Sequence, residues 1–166
     1  IETSLPLVKR DELNNQILTP RISFRANPGN NMKDHSSSSR SINADNIFEI
    51  DRLGLSDSFE AGKSVTLGIN YKFDNIEYVP EIETDEEEII KDKFLEFRLG
   101  TVFRDKVETD IPKSSTLDKK NSNIYGSINN QLYEDISLNY NFSVNNDYST
   151  FDSHSLNLKL EVNNFL

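Results

Sequence analysis

The sequence predicts an all-β fold of about six antiparallel, up-and-down strands joined by loops of very unequal length. Three observations predict it. First, apolar residues recur at every second position over strand-length windows, as in Ile136, Leu138, Tyr140, Phe142 and Val144 against Ser137, Asn139, Asn141 and Ser143. Side chains alternate across a strand, so each window has one apolar face and one wet face. Second, only 35% of the chain is hydrophobic and its mean hydropathy is −0.61, less apolar than an ordinary soluble domain of 166 residues. Third, no amphipathic helix of useful length is present to cover the apolar faces.

The strands follow in order. The first is read at residues 17–27, where Leu18, Pro20, Ile22, Phe24 and Ala26 oppose Thr19, Arg21, Ser23 and Arg25. The second, 64–73, sets Val65, Leu67, Ile69, Tyr71 and Phe73 against Thr66, Gly68, Asn70 and Lys72. The third, 94–104, sets Leu95, Phe97, Leu99, Thr101 and Phe103 against Glu96, Arg98, Gly100 and Val102. A weaker fourth at 123–131 carries Ile124, Gly126 and Ile128 on one side. The fifth spans 135–144, and the sixth, 154–163, alternates Leu156, Leu158, Leu160 and Val162 with Asn157, Lys159, Glu161 and Asn163. Every charged strand residue lies on the polar face. Strands of about 9–11 residues, tilted, are long enough to cross a bilayer. Tyr71, Phe73, Phe103, Tyr133, Tyr140 and Phe142 lie near strand ends, where an interfacial aromatic girdle belongs.

The connections divide into short and long. Leu132–Glu134 reads as a tight turn, 145–153 is moderate, 105–122 is long and polar, and 28–62 is longest, with a mobile run at Ser36–Ser39 expected inside it. Loops of that length are uncommon in compact soluble domains, whereas outer-membrane barrels carry long loops on one side and short turns on the other. The segment 81–92 holds at most one helical turn, at 86–91.

Composition removes several function classes. The net charge is −10, but residues 74–92 hold nine acidic residues and one Lys, a local −8 that leaves −2 for the rest. No Lys/Arg cluster supports a nucleic-acid surface. The absence of Cys excludes a disulfide framework or a thiolate metal site within the chain. His35 and His154 stand at no metal-ligand spacing and read as loop and strand-start residues. The run Asp85–Glu88 lacks the spacing of a calcium loop and reads as solvated charge. No convergent acid, base and nucleophile are visible, so the expectation is no enzyme, no catalytic residue, no cofactor and no metal. Ile1 is not an initiator Met, and the expectation is a processed product or a fragment.

The motif with content lies in the longest loop. Ile47, Phe48, Ile50, Leu53, Leu55 and Phe59 accompany Arg52, Asp57 and Glu60. A loop with six large apolar residues is expected to fold back and pack, with Arg52 paired to Asp57 or Glu60. Here the sequence resembles the LPS-assembly family LptD, also called organic solvent tolerance protein. The resemblance is carried by Asn46, Phe48, Asp51, Arg52, Gly54, Asp57, Glu60 and Gly62, by Leu18–Gly29 before the loop, by Val65–Ile69 after it, and by Leu99–Arg104.

The resemblance implies that residues 1–166 are part of the wall of a large transmembrane β-barrel in the Gram-negative outer membrane. It implies lipopolysaccharide as cargo, the lipoprotein LptE as plug, the periplasmic Lpt bridge and outer-membrane lipid as further partners, and no nucleic acid. It implies that the motif loop, 105–122 and 145–153 are extracellular, that the 132–134 turn and acidic 74–92 are periplasmic, and that the polar face lines a wet lumen. The competing readings are another outer-membrane barrel (a porin or TonB-dependent transporter) and a soluble β-sandwich binding module.

Overall fold

The computed structural model describes residues 1–11, 14–29, 32–75, 93–133 and 135–161. Among them are eight strands: β1 Glu2–Ser4, β2 Leu7–Arg10, β3 Asn14–Asn27, β4 Gly62–Asn75, β5 Lys93–Arg104, β6 Ile124–Tyr133, β7 Ile136–Val144 and β8 Phe151–Leu160. They form one antiparallel sheet in which β3 to β8 lie in chain order, with β1 and β2 end to end along the outer edge of β3. The sheet is open at both sides, all-β and up-and-down, as the alternation predicts. No helix of the described residues is long and apolar enough to cross a membrane, which says nothing about a β-barrel.

The six anticipated strands are all present. β3 and β4 are each 14 residues long and pair along their whole length. The last strand differs most: β8 begins at Phe151, three residues before the expected start, and its expected end at 162–163 lies outside the described residues. Glu134, residues 76–92 and the helical turn expected at 86–91 also lie outside them.

β1 and β2 were not legible in the alternation. They share one register against β3, interrupted at Leu5–Pro6. Leu5 donates its N–H to the Pro20 carbonyl at 3.1 Å, but proline has no N–H to return the bond. One strand is thereby split into two short ones, each below the length at which a period can be read.

Register keeps each face continuous across the sheet. Pro20, Ile69, Leu99, Gly126 and Phe142 form one row of the apolar face, and Leu18, Tyr71, Phe97, Ile128, Tyr140 and Leu156 the next. Among the described residues no second layer covers that face: Leu67 is 42% exposed and Leu158 58%. The buried core is on the other face. Ile42, Ile47, Phe48, Leu53 and Leu55 from the β3–β4 loop meet Ile111 and Leu117 from the β5–β6 loop over Val102 and Tyr125 of the sheet. The upper part of the face expected to be wet is therefore dry. The correction has a plain cause: at Gly68, Gly100, Val102 and Tyr125 the polar face lacks charge, and two loops have enough apolar side chains to cover it.

Candidate functional site

The site is the β3–β4 loop, residues 28–61, latched to the polar face at the loop end of the sheet. Its centre is a turn over residues 44–48. Asn43 starts it as a cap, its side-chain oxygen accepting the N–H of Asp45 and of Asn46, each at 2.9 Å. Asn46 answers by accepting the Asn43 N–H at 2.9 Å and donating to Ser41 O at 3.1 Å. The far end of the turn leaves the carbonyls of Phe48, Glu49 and Ile50 without helical partners. Arg25 of β3 donates to all three, at 3.1 Å to Phe48 O and 2.6 Å to Ile50 O.

The side chains of the turn enter a notch in the wall. Gly68 and Gly100 are direct cross-strand partners on β4 and β5. A Cβ on Gly68 would lie 2.6 Å from the Phe48 ring and 2.8 Å from Leu99 O; one on Gly100 would lie 3.1 Å from Ile47. Glycine inside a strand commonly marks such close approach. The guanidinium of Arg21, the cross-strand neighbour of Gly68 on β3, lies over the Phe48 ring, 4.1 Å from its centroid. From below, Arg98 reaches up to Asp45 while also holding Glu96 at 2.7 Å.

Arg52 ties the second half of the loop down. Its side chain is 0% exposed. Nε and Nη2 grip Glu60 at 2.7 and 2.5 Å, Nη1 donates to Thr66 Oγ1 at 2.9 Å and Ile47 O at 3.3 Å, and Nη2 reaches Ser64 Oγ at 3.2 Å. All five guanidinium donors are used. Arg104 of β5 joins from the next strand, donating to Glu60 and to Ala61 O. Burial pushes the Glu60 carboxyl up, but the hydrogen bonds and charge of Arg52, with Arg104 and Arg25 behind them, more than offset this and hold it below its ordinary value.

The remaining motif residues have separate places. Gly54 has φ +57 and donates to Asp51 O at 2.9 Å. Asp51 itself is exposed. Gly62, at φ +85, starts β4 where a Cβ would strike Glu108 at 2.6 Å. Asp57 is not the partner of Arg52. It accepts from Lys33 at 2.9 Å, lies 2.9 Å from His35 Nε2, and has a depressed pKa chiefly through the Lys33 hydrogen bond. Two of the six apolar residues do not pack, Ile50 being 91% exposed and Phe59 75%.

The β5–β6 loop, residues 105–123, closes over the first. His35 N–H bonds Asp110 O at 2.9 Å, and Arg40 N–H bonds Ser114 Oγ at 2.9 Å. The run Ser36–Ser39 is thus tied to a second loop, with Ser36 O accepting from Lys113 N–H at 3.4 Å and Ser38 O from Ser114 Oγ, also at 3.4 Å. Beneath, Tyr125 places its hydroxyl 2.7 Å from both Thr116 Oγ1 and Ser115 O.

Sequence reasoning found Arg52 and Glu60 but missed Arg25, Arg104 and the glycine pair. The signal for the glycines was available, since two strand-interior glycines on the polar face ask for something to approach them. Below the loops the polar face carries amides instead: Asn141 donates to Asn139 at 2.6 Å, and Asn139 to Asn129. Among the described residues no group of three His, Cys, Asp or Glu is placed to hold a metal ion. This arrangement holds and covers a wall.

No curated protein and no solved structure matched the chain. The family model LptD, described as LPS transport system D, matches residues 1–166, the whole of it. The chain therefore belongs to the LptD family, which acts in lipopolysaccharide transport at the Gram-negative outer membrane.

Proposed function

We propose that residues 1–166 form a section of an outer-membrane β-barrel that delivers lipopolysaccharide to the cell surface, with their apolar face toward lipid and their polar face toward the lumen. The observation that carries this is the uncovered apolar face. Ile22, Leu67, Leu156, Leu158 and Leu160 are 42–63% exposed, while the chain spends its buried apolar residues on the opposite side. In water, an open patch of that extent is a liability; in a bilayer it is the required outer surface.

The two connections 28–61 and 105–123 and the short turn 145–150 leave from one end of the sheet, while 76–92 and the β6–β7 turn leave from the other. We assign the first end, with the motif residues Asn46, Phe48, Asp51, Arg52, Gly54, Asp57, Glu60 and Gly62, to the extracellular side. The loops would then cap the outer end of this wall section. The amide row of Asn129, Asn139 and Asn141 would meet the lumen nearer the periplasm, where a plug lipoprotein of the LptE type could hydrogen-bond to it. The periplasmic Lpt bridge would supply the cargo.

Single-cysteine spin labelling of the full-length protein in lipid vesicles tests the reading. Labels at Leu67→Cys and Leu158→Cys are expected to be accessible to oxygen dissolved in the bilayer, and one at Asn139→Cys to a water-soluble nickel chelate. Labels at Leu67 and Leu158 that collide with the chelate as freely as the Asn139 label would overturn it.

A further inference from the structure

We propose that the β3–β4 loop is a register key: by seating Ile47 and Phe48 in the Gly68–Gly100 notch it selects the one β4–β5 pairing, among those the alternation allows, in which the wall is built. This rests on the barrel-wall reading, but concerns how the wall is assembled.

The argument starts from a blind spot in two-residue periodicity. A slip of one residue turns every side chain to the wrong face and is strongly disfavoured. A slip of two keeps Val65, Leu67, Ile69 and Tyr71 on the same face as Leu95, Phe97, Leu99 and Thr101. The apolar pattern therefore does not distinguish the native pairing from its neighbours two residues away. A tight turn would, because turn type and length fix register. Among the described residues no turn joins β4 to β5, whose facing ends, Asn75 and Lys93, are separated by residues 76–92 in the chain. β7 and β8, by contrast, are joined by a short turn closed by Asn145 N–H to Thr150 O at 3.0 Å.

The loop supplies what the turn does not. Only in the native register do Gly68 and Gly100 stand opposite one another and open a hole two strands wide. Slipped by two, Gly68 would face Arg98 or Val102, and Gly100 would face Thr66 or Asn70, and neither hole would admit the pair of side chains. The ionic contacts of the loop discriminate in the same sense. Glu60 is gripped by Arg52, which is bonded to Ser64 and Thr66 of β4, and by Arg104 of β5, the cross-strand partner of Ser64. A slip of two moves Arg104 by about 7 Å along the strand, out of hydrogen-bond reach. Knob and ionic clasp thus read the same registration from two places.

Register is measured in the full-length protein in the outer membrane by oxidising cysteine pairs on the lipid face, away from the loop, and identifying the joined peptides by mass spectrometry. Ile69→Cys with Leu99→Cys reports the native pairing; Ile69→Cys with Phe97→Cys or Thr101→Cys reports the slipped ones. In the otherwise native chain the native bond is expected to dominate. Ile47→Ala/Phe48→Ala is expected to raise a slipped bond from trace to a yield comparable with the native one. Should that chain not accumulate, Phe48→Leu, which keeps the apolar bulk of the loop, carries the same reading. Gly100→Ala, whose Cβ would press on the Ile47 side chain at 3.1 Å and on no backbone atom nearer than 3.7 Å, is expected to shift register or weaken assembly, and adding Ile47→Ala to restore assembly without restoring native-only pairing. Native-only bonding in the knobless chains, or an assembly defect in Gly100→Ala that Ile47→Ala does not relieve, would overturn the key. Failure of the lipid-facing assignment would instead show in the spin-label accessibilities and leave the cysteine pairing pattern intact.

Discussion

Ile47 and Leu158 are both large aliphatic residues on or against the same sheet, yet Ile47 is fully buried and Leu158 is 58% exposed. They lie on opposite faces. On the Leu158 face the described residues supply only strands, one residue in two apolar, and no cover. On the Ile47 face the strands are polar or glycine at the relevant points, and the apolar residues arrive on loops. The difference teaches that the face with the stronger alternation is the one prepared for an external solvent, while the core of the chain is assembled where the alternation is broken. Val102, on the polar face of β5 and fully buried, is that break in miniature.

The comparison is broken most severely by removing the anchor of the covered face. Arg52→Ala would leave Glu60 buried with five donors gone from the site. Removing one partner of a buried pair costs up to about 3–5 kcal/mol, and Arg104, still on Glu60, keeps the cost below that ceiling. The expected outcome is loss of protease protection across residues 32–61, read as new cleavage sites in limited proteolysis. Protection equal to that of the native protein would mean that the dry contacts of Ile47 and Leu53 hold the loop without the ion pair.

The uncovered face is tested next. Leu138→Arg is expected to cost about 2–4 kcal/mol at the bilayer midplane, falling toward the interfaces. Asn139→Arg, one residue further and on the lumen face, should cost much less. Folding into vesicles against urea measures both, and equal losses would contradict the assignment of faces.

These two predictions fall on features of different legibility. The strand containing Leu138 was readable because period 2 persists over nine residues of β7 and is uninterrupted. β1 and β2 were not, because Pro20 cuts their ladder at Leu5–Pro6 and Thr3 and Lys9 dilute the apolar side. For the loop, the sequence indicated that something must pack, since Phe48 and Leu53 have no business in a tether, and it named Glu60 among two partners for Arg52. It did not indicate against what the loop packs. That depends on Arg25, Arg104, Gly68 and Gly100, which are 20 to 53 residues from their loop partners in the chain and become neighbours only through pairing of β3, β4 and β5. Ile50 and Phe59 mark the converse limit: apolar identity alone does not say which side of a loop faces inward.

A finer test uses protons. The folded Glu60 carboxyl is held below its ordinary value, burial being outweighed by the arginines. A carboxylate depressed in the folded state contributes stability above its unfolded pKa of about 4.3, and that contribution is lost as pH falls through the folded value. Loop protection is therefore expected to persist through neutral and mildly acid pH and to decline only below about pH 4. Glu60→Gln should lower protection at neutral pH and flatten the acid decline. An unchanged acid profile in that variant would assign the decline to other carboxylates.

The smallest effect is expected at the loop margin. Lys33 and His35 both contact Asp57, but the Lys33 side chain is 69% exposed and that of Asp57 37%. Water competes for such a pair, and salt screens it. Lys33→Ala should leave the cleavage pattern of the loop centre as it is and loosen only the segment near residue 33, with the residual difference vanishing in high salt. Release of the whole loop by Lys33→Ala would relocate its anchor from the buried arginines to the surface, and would remove the contrast between the two faces from which the other predictions start.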